Sequence, residues 1–259
     1  MQVNHLAEIH ACNCLLLIKD SYLVPMKSKA DVLKAVKKFT KEVGAPDAII
    51  CDSAREQKSS ELRKFLQQVG TTLRILEEHT PWTNRAELYI GLIKEAIRKD
   101  MKEADCPIVF WDYCAERRAR INNLTAKNLF QLDGRNAHFS VTGEDGDISN
   151  LCQFKWYEWC YYREQSNMFP FPKEVLGRVL GPAKGEGNEM AQWVLKANGN
   201  VVPCRTVRPL TQLEANSETE KRKRSIFDDL IKSRWGTSIS APEKSQSNEF
   251  VEYEDDDES

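Results

Sequence analysis

Short apolar runs of strand length alternate with amphipathic helical stripes over the first 76 residues, and this alternation restricts the chain to an α/β fold class. Residues 14–18 and 22–24 predict a hairpin with a polar turn between its strands. A helix is predicted next, with Ser28 as its N-cap and Gly44 as its left-handed stop. Its core face consists of apolar side chains at helical spacing, namely Val32, Val36, Phe39 and Val43.

The following segments continue the alternation as strand, helix and strand. Ala48–Cys51 is typical of a buried strand, residues 60–69 of a helix that Gly70 ends, and residues 72–76 of another strand. The predicted order of elements is therefore ββαβαβ, which is the order of an α/β sheet with flanking helices.

Two longer helices are predicted after this unit, and both are expected to pack on the sheet. The first runs from Asn84 to about residue 104 and places Leu88, Leu92 and Met101 inward. Pro107 opens the second, which carries Trp111, Tyr113 and a run of arginines at 117, 118 and 120. Such a charge run is usually a solvated helix face.

Changes in composition divide the chain into four parts. Residues 1–132 form the α/β core, and residues 133–147, rich in Gly, Asp and Asn, form a predicted linker. Short aromatic and β-rich segments at 148–213, spaced by Gly and Pro, predict a small all-β barrel. Residues 214–259 are polar and charged with little periodicity apart from a short apolar patch at 226–231, and they predict a mostly disordered acidic tail.

Charge and cysteine usage bound the function classes. Residues 244–259 hold seven acidic side chains against one lysine, so the rest of the chain is net basic and suits a polyanion-binding protein. No apolar run reaches the length of a membrane helix, and the first twenty residues lack a secretory signal pattern. We therefore expect no membrane partner, no secretion and reduced thiols. The histidines and cysteines are not at zinc-finger spacing.

Two carboxylates stand where a metal site would need them. Asp52 follows the predicted strand Ala48–Cys51, and Glu87 lies in the predicted first turn of a helix. Phosphoryl transfer uses hard oxygen ligands to hold two Mg²⁺ ions about 4 Å apart. The structural alternatives are a turn aspartate and a capping box from Asn84 to Glu87.

The motifs around these carboxylates resemble the integrase core of copia-type retrotransposons and, more distantly, of retroviruses. The resemblance rests on GAPDAIICD at 44–52 and PWTNRAE at 81–87, in that order. It extends through FWDYC at 110–114 and DISNL at 147–151 to LGRVLGP at 176–182 and GNVV at 199–202. Roughly residues 1–213 are covered, and the last two motifs resemble the barrel that follows the core in that family.

The resemblance implies a ribonuclease-H-like mixed sheet with flanking helices, followed by a small SH3-like β-barrel. In that family two aspartates and a glutamate bind two Mg²⁺ or Mn²⁺ ions, trim a DNA 3′ end and join it to target DNA. Asp52 and Glu87 match the second and third carboxylates, whereas Asn4 occupies the position of the first. A neutral amide there implies weak metal binding and impaired catalysis.

Other positions for the first carboxylate fit less well. Asp20 falls in the predicted hairpin turn, and Glu8 lies past the opening strand that the resemblance implies around residues 3–5. A first aspartate upstream of Met1 is a further alternative.

Residues that contact nucleic acid are also implied. Lys94 shares a helix face with Glu87 and is either a contact to a DNA phosphate or a solvated lysine on an exposed face. Arg98 and Asn84 are further candidates for nucleic-acid contact. Gly91 stands where the retroviral relatives carry a basic residue. Four aromatic residues of the β-rich region either stack on bases or form the barrel core, namely Trp156, Trp159, Tyr161 and Tyr162. The basic tetrad at 221–224 is a nuclear import signal, a phosphate contact or a functionless run in a disordered tail.

Three functions remain open on this evidence. The first is a nucleotidyltransferase and endonuclease of DNA integration, whose partners are the element ends and target DNA. This function implies a homo-oligomer that is located in the nucleus or in a cytoplasmic particle in transit. The second is a non-catalytic DNA-binding or interaction remnant of a decayed element. The third is a ribonuclease-H-like nuclease that acts on RNA in hybrids.

Overall fold

The computed structural model describes residues 31–51, 59–75, 85–125, 133–164, 172–183 and 190–236, and singly 22, 24, 26, 28, 169 and 170; of residues 85–88 it describes the backbone alone. The helices are α1 Val32–Glu42, α2 Ser60–Gln68, α3 Arg85–Glu103, α4 Trp111–Leu124, α5 Ala137–Thr142, α6 Ser149–Cys152, α7 Gln212–Asn216 and α8 Glu218–Trp235. The strands are β1 Ala48–Cys51, β2 Thr72–Ile75, β3 Trp159–Arg163, β4 Glu174–Pro182, β5 Gln192–Lys196, β6 Val201–Cys204 and β7 Val207–Pro209.

A parallel strand–helix–strand unit forms the N-terminal part of the described structure. β1 and β2 pair in parallel from Ala48 opposite Thr72 to Cys51 opposite Ile75, and α2 makes the crossover that a parallel pair requires. The predicted strands and helix are confirmed. The pair of β1 and β2 is the part of the predicted mixed sheet that lies within the described residues. The predicted strand at 14–18 lies outside the described residues.

The core of this unit lies between α1, α2 and β1. Val32, Val36 and Phe39 of α1 pack with Ile49, Cys51, Leu62 and Leu66, all of them buried. The predicted helix face is thus confirmed, but its predicted cap is wrong. Asp31 is the N-cap, and its carboxylate accepts the Ser28 N–H at 3.2 Å, which places Ser28 just before the helix.

The antiparallel helices α3 and α4 build a second core. Ile97 and Met101 of α3 are buried against Phe110 and Cys114, where a 3₁₀ turn at Ile108–Phe110 leads into α4. The inward position of Met101 is confirmed. Leu92 is 53% exposed, contrary to the prediction, because the buried stripe runs through Ile97 and Met101 and Leu92 falls to its side. The side chain of Leu88 lies outside the described residues.

The stretch predicted as a linker contains α5. The Asn136 side chain caps this helix by accepting the Phe139 N–H at 2.7 Å, and Gly143 ends it with a φ of 77°. Ala137 is fully buried, and α5 packs on α4. The Asn and Gly residues that suggested a linker therefore serve as helix caps.

The C-terminal strands form a five-stranded antiparallel sheet in the order β6-β5-β4-β3-β7. Strands occur in the predicted region, but the described pairings leave β6 and β7 at opposite edges, so they do not form the predicted closed barrel. One face of this sheet is covered by helices instead. Leu180 and Leu195 pack in the same core as Met101 of α3.

Residues 214–235 are largely helical, which corrects the prediction that disorder begins after residue 213. Thr211 and Glu214 form a capping box for α7, and α8 buries Phe227 and Ile231 in the core that α3 and α4 share with the sheet. Phe227 and Ile231 lie one turn apart and so share one face of α8, whereas most of its other side chains are polar. Residues 237–259, which include the whole acidic run, lie outside the described residues.

Candidate carboxylate and nucleic-acid site

The two predicted carboxylates stand at the boundaries of regular elements. β1 ends at Cys51, one residue before Asp52, and α3 begins at Arg85, so Glu87 belongs to its first turn. Asp52, Asn4, Asn84 and the side chain of Glu87 lie outside the described residues, so their convergence stays a prediction. Within the described part of the chain, no group of three or more His, Cys, Asp or Glu side chains could hold a metal ion.

The face of α3 that continues from Glu87 carries two cations. Gly91, Lys94 and Arg98 follow Glu87 at intervals of about one turn, so all four positions share a face. Lys94 is half-buried and Arg98 is exposed, and neither forms an ion pair or hydrogen bond with a described residue. A side chain at Gly91 would meet no atom within 4 Å, so this face is open enough to approach a polyanion.

The arginine run of α4 is not a solvated face, contrary to the prediction. Arg118 forms a two-point ion pair with Asp100 of α3, and these hydrogen bonds raise its pKa. Arg117 donates to the carbonyls of Leu151 at 3.4 Å and Phe154 at 3.0 Å, and burial lowers its pKa. Because α4 lies between α3 and β4, its arginines join elements of the fold.

The aromatic residues of the β-rich region are mostly core. Trp156 and Tyr162 are buried, and Trp159 packs edge-on against Phe227 with ring centroids 5.2 Å apart. The Tyr161 hydroxyl donates to Glu220 of α8 at 2.5 Å, and this carboxylate and burial together raise the Tyr161 pKa. The core alternative thus accounts for these side chains better than base stacking.

The basic tetrad 221–224 lies in the first half of α8. Lys221 pairs with Glu218 and Lys223 with Glu220, each at 2.7 Å, and Arg224 donates to the Ala215 carbonyl at 2.6 Å. The tetrad is therefore part of a folded helix rather than of a flexible tail.

An ion pair between β4 and α8 was not predicted from the sequence. Arg178 donates through Nη2 to both carboxylate oxygens of Asp228 at 2.9 Å, and its guanidinium lies 3.5 Å from the ring centroid of Trp159. The partners are 50 positions apart, so no local pattern signals the pair.

The described fold is thus an α/β chain with a parallel strand–helix–strand unit and a helix-covered antiparallel sheet. No family model and no curated protein matches it. Among solved structures, it is similar to a chain in the cryo-EM structure of a simian T-cell lymphotropic virus intasome in complex with PP2A regulatory subunit B56 gamma. The TM-score is 0.39 and the sequence identity is 11%. The similarity covers 73% of this chain and 66% of the intasome chain. A likeness of this size identifies no family. None of the described helices is both long and apolar enough to cross a membrane.

Proposed function

We propose that this chain is an integrase-like protein that binds nucleic acid and derives from the DNA-integration machinery of a copia-type retrotransposon. The observation that carries the proposal is the position of the two carboxylate motifs in the fold. A parallel strand of a strand–helix–strand unit ends one residue before Asp52, and a 19-residue helix begins two residues before Glu87. Strand ends and first helical turns are rigid positions from which side chains can share a metal site.

The finer fold assignment belongs to the same proposal. We infer that the unit of β1, α2 and β2 belongs to a ribonuclease-H-like core, whose opening strands stay a prediction for the residues before it. In the antiparallel sheet, β7, the last strand, pairs with β3, the first. We infer that this order is that of an SH3-like sheet, which in the described pairings is open between β6 and β7.

The donor set that the chain offers to metal is one charge short. Asp52 and Glu87 would hold Mg²⁺ or Mn²⁺, which supplies the activation of the attacking oxygen and the stabilisation of the leaving oxygen. Asn4 would contribute only a neutral carbonyl oxygen where the resemblance places a bridging carboxylate. We therefore expect DNA binding with impaired strand transfer.

Metal binding and end joining test the catalytic part of the proposal. The wild-type chain, Asn4→Asp, and Asn4→Asp combined with Asp52→Asn are titrated with Mn²⁺ and assayed for joining of oligonucleotide ends. We expect weak Mn²⁺ binding by the wild type, a gain in binding and joining in Asn4→Asp, and loss of both gains in the double variant. Efficient joining by the wild-type chain would contradict impairment, and RNA cleavage in hybrids without joining would favour the nuclease.

DNA binding itself is tested on the open face of α3. Lys94→Gln and Arg98→Gln should each lower the slope of log affinity against log salt by about 1, because each contact releases one counterion. Lys99→Gln is the matched control, since Lys99 lies on the same helix but pairs with Glu103 at 3.9 Å. A wild-type chain that binds no DNA at low salt would contradict the proposal.

A non-catalytic DNA-binding remnant is the second candidate, and Asn4 is the residue that favours it. This candidate predicts metal-independent DNA binding by the wild type and no joining by Asn4→Asp. A homo-oligomeric state and a nuclear location are further parts of the integrase proposal, checked by light scattering and by imaging of a tagged chain.

A further inference from the structure

The outer side of α8 presents apolar side chains to solvent. Ile226 is 61% exposed and Leu230 is 49% exposed, whereas the neighbouring Phe227 and Ile231 are buried in the core. Ile226 and Leu230 lie one turn apart and therefore share one face of the helix. These two residues form the apolar surface of α8, beside the stripe that the helix buries.

The basic tetrad 221–224 continues this face toward the start of α8. Arg222 lies one turn before Ile226, is exposed, and forms no ion pair or hydrogen bond with a described residue. The two lysines of the tetrad pair with Glu218 and Glu220, but both lysine side chains are exposed. Ion pairs that are open to water contribute little, so these lysines remain available to another anion.

The chain beyond α8 has side chains of complementary character in the matching order. Residues 249–259, the acidic segment, hold seven acidic side chains and no basic one. Phe250, Val251 and Tyr253 come first, and an uninterrupted acidic run at 254–258 ends the group. A chain that turns back along α8 from its C-terminal end meets the apolar surface first and the tetrad second. The order of side chains therefore fits antiparallel docking.

The connection between α8 and the acidic segment is long enough for this path. α8 ends at Trp235, so Leu230 lies about 8 Å and Arg222 about 20 Å back along the axis at a rise of about 1.5 Å per residue. Fourteen extended residues reach about 46 Å, and a flexible chain of that length spans roughly 20 Å on average. An average span close to the distance to be bridged gives a tethered segment a high effective concentration.

We propose that the acidic segment docks on the outer face of α8 in the same chain, with its aromatic residues on the apolar surface and its carboxylates on the tetrad. The reverse direction would set the acidic run beside Asp229, an exposed carboxylate next to Leu230. A second copy of α8 fits this face less well, because its own tetrad would add like charges to the interface. The docked segment shields the tetrad and competes with nucleic acid for it, a consequence that rests on the proposed function.

Carbodiimide cross-linking of the full chain tests the docking without nucleic acid. This reagent joins a carboxylate to an amine that it contacts, so mass spectrometry should find residues 254–258 linked to Lys221 and Lys223. Ile226→Ser combined with Leu230→Ser removes the apolar surface at unchanged charge and should lower the yield of these links about fivefold.

Two further variants make this result specific. Phe250→Ser combined with Tyr253→Ser removes the other side of the same contact and leaves α8 intact, so it should lower the yield equally and decides the question if the α8 variant fails to fold. Leu92→Ser changes an exposed leucine of α3 and is the matched control, which should keep the wild-type yield.

Three outcomes would overturn docking within one chain. The first is an equal yield of links in the wild type and both double variants. The second is an even spread of links to Lys102 and Lys232, lysines that lie off this face. The third appears in a mixture of ¹⁵N-labelled and unlabelled chains, where links between labelled and unlabelled peptides would show that a second copy supplies the segment.

A DNA titration tests the competition. Because Ile226→Ser with Leu230→Ser leaves the net charge unchanged, a gain in affinity for a duplex oligonucleotide reports release of the tetrad, and we expect about threefold or more at low salt. Fewer links with unchanged DNA affinity would overturn the competition and leave the proposed function intact. If neither the wild type nor the variant binds DNA, the proposed function is contradicted, while the cross-links still decide the docking.

Discussion

Replacing Asp228 by alanine would remove the carboxylate that holds α8 against the sheet. Asp228 accepts both hydrogen bonds from Arg178 Nη2, whose side chain is only 13% exposed. Arg178 Nη1 donates to the Tyr157 carbonyl at 2.9 Å, and Arg178 Nε already has no partner among the described residues. Without Asp228 the guanidinium would keep one partner, in a site formed by the rings of Tyr157 and Trp159.

The size of the effect follows from the exposure of the two partners. Breaking a fully buried ion pair costs about 3–5 kcal/mol, whereas an exposed pair contributes about 0–1 kcal/mol. The Asp228 side chain is 33% exposed, so water screens this pair in part. We expect Asp228→Ala to lower the free energy of unfolding by about 2 kcal/mol. For a chain of this size, that corresponds to a melting temperature lower by roughly 4–8 °C.

This loss of stability is measured by urea unfolding, with circular dichroism and tryptophan fluorescence as the signals. Fluorescence reports on this site because Trp159 lies beside Arg178. Asp229→Ala is the matched control, since Asp229 is the next residue of α8 and is exposed. The control should stay within about 0.5 kcal/mol of the wild type. If Asp228→Ala is as stable as Asp229→Ala, α8 does not dock through this pair and the reasoning fails.

Four further predictions check other parts of the structure. Gly177→Ala should destabilise by about 1–3 kcal/mol, because the added Cβ would lie 2.7 Å from Val194 Cγ1 and 3.0 Å from the Leu195 carbonyl oxygen. Gly91→Ala, on the open face of α3, should stabilise by about 0.5–1 kcal/mol in the same urea assay. Hydrogen bonds from Arg208 lower the pKa of Glu214 from 4.5 to about 2, so its stabilising effect is complete above pH 4.5 and is lost as pH falls toward 2. The difference in melting temperature between wild type and Glu214→Gln should shrink over that range, and a constant difference would contradict the pairing. Cys152 is exposed, whereas burial raises the pKa of the Cys106 and Cys160 thiols. Among the described thiols, mass spectrometry after brief alkylation should therefore find Cys152 modified first.

Local patterns predicted the elements that depend on a single stretch of chain. The helical spacing of apolar residues predicts α1 and α2, and the run Ala48–Cys51 predicts β1, because each pattern already contains the residues that the element buries. The start of α3 next to Glu87 is likewise a local signal. The candidate carboxylates depend on the resemblance of their motifs, and their approach to each other stays a prediction.

Average composition failed where a few residues decide the structure. Residues 214–235 look polar on average, yet Phe227 and Ile231 are buried in the shared core and Asp228 pairs with Arg178 of the sheet. The glycine and asparagine residues near 133–147 suggest a linker, yet Asn136 and Gly143 are the caps of α5. Both segments have few apolar residues, and only some of these, namely Ala137, Phe227 and Ile231, are buried by neighbouring elements.

Local sequence patterns determine the strands and the helix of the strand–helix–strand unit and the positions of Asp52 and Glu87 relative to it. The parallel pairing of the strands and the pairing of charged side chains follow only from the tertiary structure. Arg118 pairs with Asp100 across 18 positions and Arg178 with Asp228 across 50, whereas Arg120 Nη1 finds no acceptor among the described residues. The energy of a charge depends on its solvent exposure and on partners that the fold brings together, and neither is encoded in the residues next to it.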